Sequence, residues 1–479
     1  MNIKKIIYFA IGPVMTALIG FITLPIVTWF FAIDDIGRIS MLQLLFSFTT
    51  MFFCLGLDQA YIREFHESRN KEKLFKLVIT PALIVFTIVI IIIIVNKGKL
   101  SSFILGESSV KFDIMIILGM FGMLMTRFLS LILRMNERAL EFSLSQLLPK
   151  ILYLLIIFFY VAANLNKNLN NLLIANVASI ILAFSIFAWN TKFDWLRSCF
   201  EPIDLDKVKS LMAYGLPLVI GSLAYWALTA TDKILIRKLS NYEDLGVYSV
   251  SVSFAGVAIL FQRVFSTIWA PTVYKWASQN VNQDKINQVT RYVLLVVVVV
   301  FSVSGLLSWL IDFVLPDNYL LVKWIVISCL GAPLLYTLSE TTAVGINVSR
   351  KTHYSMFAST ISFIFNAVST SAIIPFYGSS GAAVTTCISF WVFLILRTEF
   401  SNFLWKPIPR LTIYLYTLLL VLGAALNTLY GEVLQSGMYL YWAAILLSTL
   451  LFFYNEYMSF IYFIKINFLK IEVENKNEK

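Results

Sequence analysis

Apolar residues run through this chain in long unbroken stretches, set apart by short polar breaks. Leu83–Val95 and Val293–Val303 contain no charge and show no period-two alternation, so they read as buried helices rather than as strands of a membrane barrel. About fourteen stretches approach or exceed the roughly twenty residues that a helix needs to cross a bilayer. Their cores are 6–32, 39–62, 77–95, 112–133, 143–163, 170–190, 210–236, 245–270, 292–315, 322–347, 355–375, 381–396, 411–430 and 438–464. The pattern predicts an all-α polytopic membrane protein. Lys4 and Lys5 ahead of an apolar run mimic a leader peptide, but the run continues to Ala32 without a small-residue cleavage site, so a permanent first span is expected.

The polar breaks are not random. Asp34-Asp35-Ile36-Gly37-Arg38-Ile39-Ser40 is echoed by Glu243-Asp244-Leu245-Gly246-Val247-Tyr248-Ser249, 209 residues later. Each copy has an acid pair, an aliphatic residue, a glycine and a serine three positions on. Each joins two long apolar segments. Six spans lie between the copies, an even number, so the repeats are expected to be parallel and related by an axis along the membrane normal. Ile36 and Leu245 then sit on opposite lips of one outer mouth. The implied plan is an N-terminal lobe at 1–190, a linker at 191–209, a C-terminal lobe at 210–397, and two extra helices with a tail at 398–479. The linker mixes four bases with four acids, and Lys470–Lys479 alternates Lys and Glu, so the tail is expected to fray.

Composition narrows the class further. Hydrophobic residues make up 59% of the chain and charged residues 13%, against about 25% charged in a soluble domain. The net charge of +10 is a topology signal. With the N-terminus inside, 25 Lys and Arg fall in the inner segments, eight in the outer ones and four within spans. No soluble basic face exists for nucleic acid. The outer loops are too short for a catalytic domain, which argues against an enzyme. The four cysteines (Cys54, Cys199, Cys329, Cys387) have neither disulfide nor metal-site spacing, and His66 and His353 have no partner at ligand spacing, so no metal or cofactor is expected.

Charges within spans are costly and mark function by default. The bases are Arg127, Lys150, Lys233 and Arg263; the acids are Asp58, Asp232 and Glu340. Arg127, Ser130 and Arg134 share one helical face, as do Tyr225, Thr229 and Asp232, with Lys233 beside them. Arg263 shares one with Ser266 and Ala270, and Glu340 one with Tyr336. One reading is a water-filled cationic cavity, in which Arg127 and Arg263 offer planar forks and Lys150 and Lys233 point charges to an anionic, phosphate-bearing substrate. Asp58, Asp232 and Glu340 are then coupling or gating groups. The competing reading is internal pairing, such as Asp58 with Arg63, or a protonated structural carboxyl at Glu340. Trp226, Trp269 and Tyr274 suit sugar stacking, although residues of this kind more often belong to the core or the interfacial belt.

Gly56-Leu57-Asp58-Gln59-Ala60-Tyr61-Ile62-Arg63-Glu64-Phe65-His66-Glu67, Tyr214-Gly215-Leu216-Pro217, Asp232-Lys233, Leu245-Gly246-Val247-Tyr248-Ser249, Trp269-Ala270-Pro271 and the run from Asn366 through Ile374-Pro375 to Gly378 and Gly381-Ala382-Ala383 occur together in this order. In that combination the chain resembles the polysaccharide (O-antigen type) flippases of the multidrug/oligosaccharidyl-lipid/polysaccharide exporter superfamily, over most of residues 1–400. The resemblance implies two six-helix lobes around a central cavity. It also implies alternating access, which carries polyprenyl-diphosphate-linked oligosaccharide from the cytoplasmic to the outer leaflet of a bacterial inner membrane, with other polysaccharide assembly proteins as partners. A cation-coupled multidrug antiporter of the same fold needs acids in its cavity, and the first span has none. A membrane glycan polymerase or ligase needs a large outer loop.

Overall fold

The computed structural model describes residues 3–278, 283–454 and 456–458. The tail Lys470–Lys479 and the side chains of Lys4, Lys5, Tyr225, Ala270 and Tyr274 lie outside the described residues. The described residues form twenty α-helices and two single 3-10 turns. With no water in a bilayer to take backbone N–H and C=O groups, such apolar runs have only helical pairing within the segment to satisfy them.

Packing contacts divide the chain into two units, Met1–Ser253 and Phe254–Lys479. The first contains α1 (Ile3–Phe30), α2 (Ile33–Phe52), α3 (Leu57–Glu64), α4 (Lys71–Val95), α5 (Lys99–Leu105), α6 (Val110–Met135), α7 (Ala139–Ala162), α8 (Leu169–Asn190), α9 (Lys192–Cys199), α10 (Leu205–Leu239) and α11 (Tyr242–Phe254). Helices start where polar caps allow. The Asn70, Asn168 and Asp204 side chains accept backbone N–H groups of Lys73 (2.8 Å), Asn171 (3.1 Å) and Lys207 (3.1 Å). The Lys207 amide, with the Lys73 ammonium, holds the Asp204 carboxyl below its ordinary range.

The second unit contains α12 (Gly256–Ser278), α13 (Gln283–Leu306), α14 (Ile311–Val314), α15 (Val322–Cys329), α16 (Gly331–Thr342), α17 (Val344–Val348), α18 (His353–Leu404), α19 (Leu411–Leu434) and α20 (Ser436–Phe452). By length and apolar composition, eight helices among the described residues can cross a bilayer, or ten if two sharply bent pairs each count once. The sequence pattern led us to expect about fourteen. One reason for the difference is α18, which enters once although Gly378 (φ 48°, ψ −128°) divides it between the two stretches expected there. Others are breaks inside expected spans. The second is bent by 47° between α2 and α3, and the eighth is broken between α11 and α12, whereas the tenth, though divided among α15, α16 and α17, still counts as one span.

The break in the second span has a local cause. Leu55 (φ 52°) and Gly56 (φ 68°) both take the left-handed conformation, ending α2 and restarting the chain as α3. Gly56 also lies against the backbone of Gly215 in α10, so a Cβ on Gly56 would overlap the Gly215 carbonyl. Two of the motifs that carry the sequence resemblance therefore meet backbone to backbone, as small residues permit between membrane helices. Gly56→Ala should destabilise the detergent-solubilised protein by about 1–3 kcal/mol, from strain at a left-handed residue together with the clash. Gly256→Ala should cost little, because nothing lies within 4 Å of its added carbon. Melting followed by loss of the monodisperse species checks this, and equal melting of the two variants would contradict it.

Candidate functional site

In the first unit, α3 is short and carries its polar groups to its neighbours. Arg127 Nη2 of α6 donates to Asp58 Oδ2 at 2.6 Å, and Gln59 Nε2 donates to the same oxygen at 3.2 Å. A carboxylate this buried requires such partners. Arg127 keeps 40% of its side chain exposed, against 11% for Asp58, so the guanidinium is both paired and accessible. The acid's partner is thus Arg127 rather than Arg63. Arg63 instead stacks over Tyr214 at 4.5 Å, and Lys207 of α10 donates to Glu64 at 2.6 Å.

The two echoed breaks also come together. Gly37 of α2 faces Tyr242 and Gly246 at the start of α11, and Gly246 in turn faces Ile33. Neither position has room for a side chain. One turn further on, Ser249 Oγ donates to Ser40 Oγ at 2.6 Å. These serines occupy the same place in the two motifs. Lys233 Nζ of α10 donates to the same Ser40 hydroxyl at 2.8 Å, so one oxygen links α2, α10 and α11. Tyr248 OH donates to Asp232 Oδ2 at 2.7 Å, and Asp232 is buried. Ile36 and Leu245 are buried within this junction. Beside it, the Arg38 and Arg237 guanidiniums lie 4.9 and 4.6 Å from the Tyr242 ring centroid, Tyr242 OH donates to the Ile104 carbonyl at 3.1 Å, and Arg38 pairs with Glu107. Further along α10, Trp226 Nε1 donates to Ser47 Oγ at 3.1 Å.

In the second unit, Glu340 of α16 is tied to α12. Ser266 Oγ donates to Glu340 Oε2 at 2.7 Å, and Trp269 Nε1 donates to its backbone carbonyl at 3.1 Å. Trp269 is buried and so has a core role here. Next to Glu340, Arg397 Nη1 of α18 donates to Ser339 Oγ at 2.7 Å. Its guanidinium carbon lies 5.1 Å from the Phe393 ring centroid and 5.7 Å from that of Tyr336, and those two rings stack on each other.

The structure therefore brings Asp58 to Arg127, and Asp232 and Lys233 to the junction that holds Ile36 and Leu245. Glu340 and Arg263 belong to the second unit, where Arg263 is exposed on α12. Lys150 of α7 is exposed, with its ammonium beside Gly20 of α1. Arg397, read from sequence as an inner-side loop charge, is buried within a helix that runs to Leu404. The signal that would have found it is its spacing from Phe393, four residues earlier on the same helical face, whose ring lies against the guanidinium.

Comparison with known proteins agrees with this architecture. The profile of a family described as "Polysaccharide biosynthesis protein" matches residues 3–277. A Haloferax volcanii protein named "Probable low-salt glycan biosynthesis flippase Agl15" is 22% identical over 375 residues, 77% of each chain. The solved structure of the lipid II flippase MurJ in an inward closed conformation superposes with a TM-score of 0.67 at 15% identity, covering 94% of this chain and all of that one. An inward-facing multidrug resistance MATE family transporter of the MOP superfamily gives a TM-score of 0.59 at 14% identity, covering 83% of this chain and 97% of that one. The fold is that of these multi-pass membrane transporters, and with the profile spanning more than half of its length, the chain belongs to the polysaccharide biosynthesis protein family.

Proposed function

We propose that this protein is a flippase. It moves polyprenyl-diphosphate-linked oligosaccharide from the cytoplasmic to the outer leaflet of a bacterial inner membrane, for surface polysaccharide such as O-antigen or capsule. The observation that carries this reading is the contact between equivalent residues of the two repeats, Ser40 with Ser249 and Gly37 with Gly246. Repeats that meet at their own symmetry-related positions form a natural gate for alternating access. The glycan-flippase relative and the lipid II flippase fold supply the substrate class by analogy.

In this reading both termini are cytoplasmic and the junction of α2, α10 and α11 is the outer gate, closed here. The lobes 1–190 and 210–397 part around it, joined by 191–209 and followed by the accessory segment 398–479. Arg127 and Arg263 are the diphosphate ligands. Arg127 suits this because its fork is accessible while Asp58 orients it. Lys150 adds a point charge. Lys233 belongs to the gate with Asp232, and Glu340 is a coupling group within the second unit.

Two experiments test the proposal. In a protein without the four native cysteines, Ser40→Cys with Ser249→Cys should form a disulfide, since their oxygens are 2.6 Å apart and a disulfide requires Cα atoms within about 7 Å. The bond should stop glycan export and reduction should restore it. Undiminished export by the cross-linked protein would remove the gate. Second, Arg127→Ala or Arg263→Ala should lower export by about tenfold or more, with Lys at either position recovering part of it, because charge returns without the fork. The protein should still insert, and lipid-linked units should accumulate inside the cell. Normal export by the double Ala variant would exclude both arginines from substrate binding.

A further inference from the structure

The segment between α8 and α10 presents a feature that transport does not use. α8 ends at Asn190, and after Thr191 the chain turns into α9. This short helix is fixed in place. Trp195 Nε1 donates to the Ala188 carbonyl at 2.8 Å, and Lys76 Nζ of α4 caps the end of α9 by donating to the carbonyls of Cys199 (2.8 Å) and Glu201 (2.6 Å). Ser198 faces inward and is buried. On the opposite side stand Phe193, Leu196 and Phe200, with 66%, 43% and 89% of their surface exposed. Their i, i+3, i+7 spacing makes one continuous apolar stripe.

Two cations flank that stripe. At 100° per residue, Lys192 and Arg197 lie about 70° to either side of it. The Lys192 ammonium sits 4.0 Å from the ring centroid of Trp189, itself 73% exposed at the end of α8, and 5.1 Å from that of Phe193. Aromatic stripe, flanking bases and the end of an apolar span thus occur within a dozen residues. A row of exposed phenylalanines is unfavourable in water, whereas aromatic side chains with flanking cations favour the boundary between acyl chains and headgroups. We infer that α9 is an in-plane membrane anchor, its stripe seated in the headgroup layer of the leaflet where α8 ends, with Lys192 and Arg197 drawn to anionic lipid phosphates. The span's end leaves the helix no distance to reach any other apolar phase. Of the segment's four acids, Asp194 is half-buried and lies about 130° from the stripe at 100° per residue, Glu201 is half-buried, Asp204 pairs with Lys73, and Asp206 lies beside Lys209.

The native thiols offer a direct probe, since Cys199 is exposed and Cys54, Cys329 and Cys387 are buried. The full-length protein is labelled at Cys199 with bimane and placed in nanodiscs of phosphatidylcholine, or of phosphatidylcholine mixed with phosphatidylglycerol. A second protein, Cys199→Ser with Asp206→Cys, reports a site whose side chain is 97% exposed. Acrylamide should quench the Cys199 label at least about threefold less than the Asp206→Cys label, and a headgroup-nitroxide lipid should quench only the former. Phosphatidylglycerol should widen the difference, and Lys192→Gln with Arg197→Gln should abolish that gain. Phe193→Ser with Phe200→Ser should make the two sites alike. Equal acrylamide access at both sites in the parent protein would overturn the anchor and leave the stripe for a protein partner. An unchanged response to phosphatidylglycerol would overturn the role given to the two cations.

Discussion

Close approach of backbones along α2, α3, α10 and α11 is the constraint on which the first unit depends. Lipid is as apolar as the side chains it surrounds, so helices gain little by hiding leucine from it. They associate where small residues let main chains touch and where polar groups find partners. Gly56 against Gly215 provides the first near one end of α10, and Gly37 beside Tyr242 and Gly246 provides it at the other. The hydrogen bonds follow from that approach. Ser40, Ser249 and Lys233 can share one oxygen only because no side chain at Gly37 or Gly246 holds the helices apart.

The same constraint explains which parts of this architecture were legible in the sequence. Long apolar runs announce helices whatever they pack against, and all fourteen expected stretches fall at least partly on helix among the described residues. Breaks within those runs were not visible. Leu55 has a positive φ that no leucine advertises, and the 322–347 stretch reads as a continuous span although it is divided among α15, α16 and α17. The echo of Asp34–Ser40 in Glu243–Ser249 was legible because symmetry-related contacts need the same small and polar residues twice. Pairing was less so. Asp58 has Arg63 nearby in sequence, but the α3 geometry hands it to Arg127, 69 residues away. Arg397 was hidden for a different reason: a charge near the end of an apolar run looks the same whether it leaves the membrane or is shielded by Tyr336 and Phe393.

Charges in the spans thus occur in two kinds of setting. Asp58 with Arg127, and Glu340 with Ser266 and neighbouring Arg397, are held by several donors or acceptors at once. Such arrangements are costly to break from one side, because the remaining ion is left in low dielectric. At Asp58 this suits a fixed feature of the fold, and at Glu340 it makes a change of charge felt by Ser266 and the helices around it, as the proposed coupling role requires. Exposed bases are the other kind. Arg263 is exposed on α12, and Lys150 is exposed on α7 with its ammonium beside Gly20 of α1. Arg127 combines both, with one edge of its fork anchored and a large part of its surface open.

The chemistry of the α2–α11 junction fits a contact that must form and part repeatedly. An ion pair there would be strong when dry and would change greatly on hydration. A hydroxyl-to-hydroxyl bond contributes only about 0.5–1.5 kcal/mol net, because water replaces it almost evenly. Ser40 with Ser249 is such a bond, and Lys233 adds a donor that water also satisfies. Glycines bring the backbones close enough for dispersion contacts, which lose roughly a quarter to a half of their depth within about an ångström of separation. The Ser40–Ser249 contact is therefore steep in distance yet small in energy. In the proposed transport cycle, a gate built this way would close without an external clamp and would open with the modest free energy that binding a charged substrate supplies.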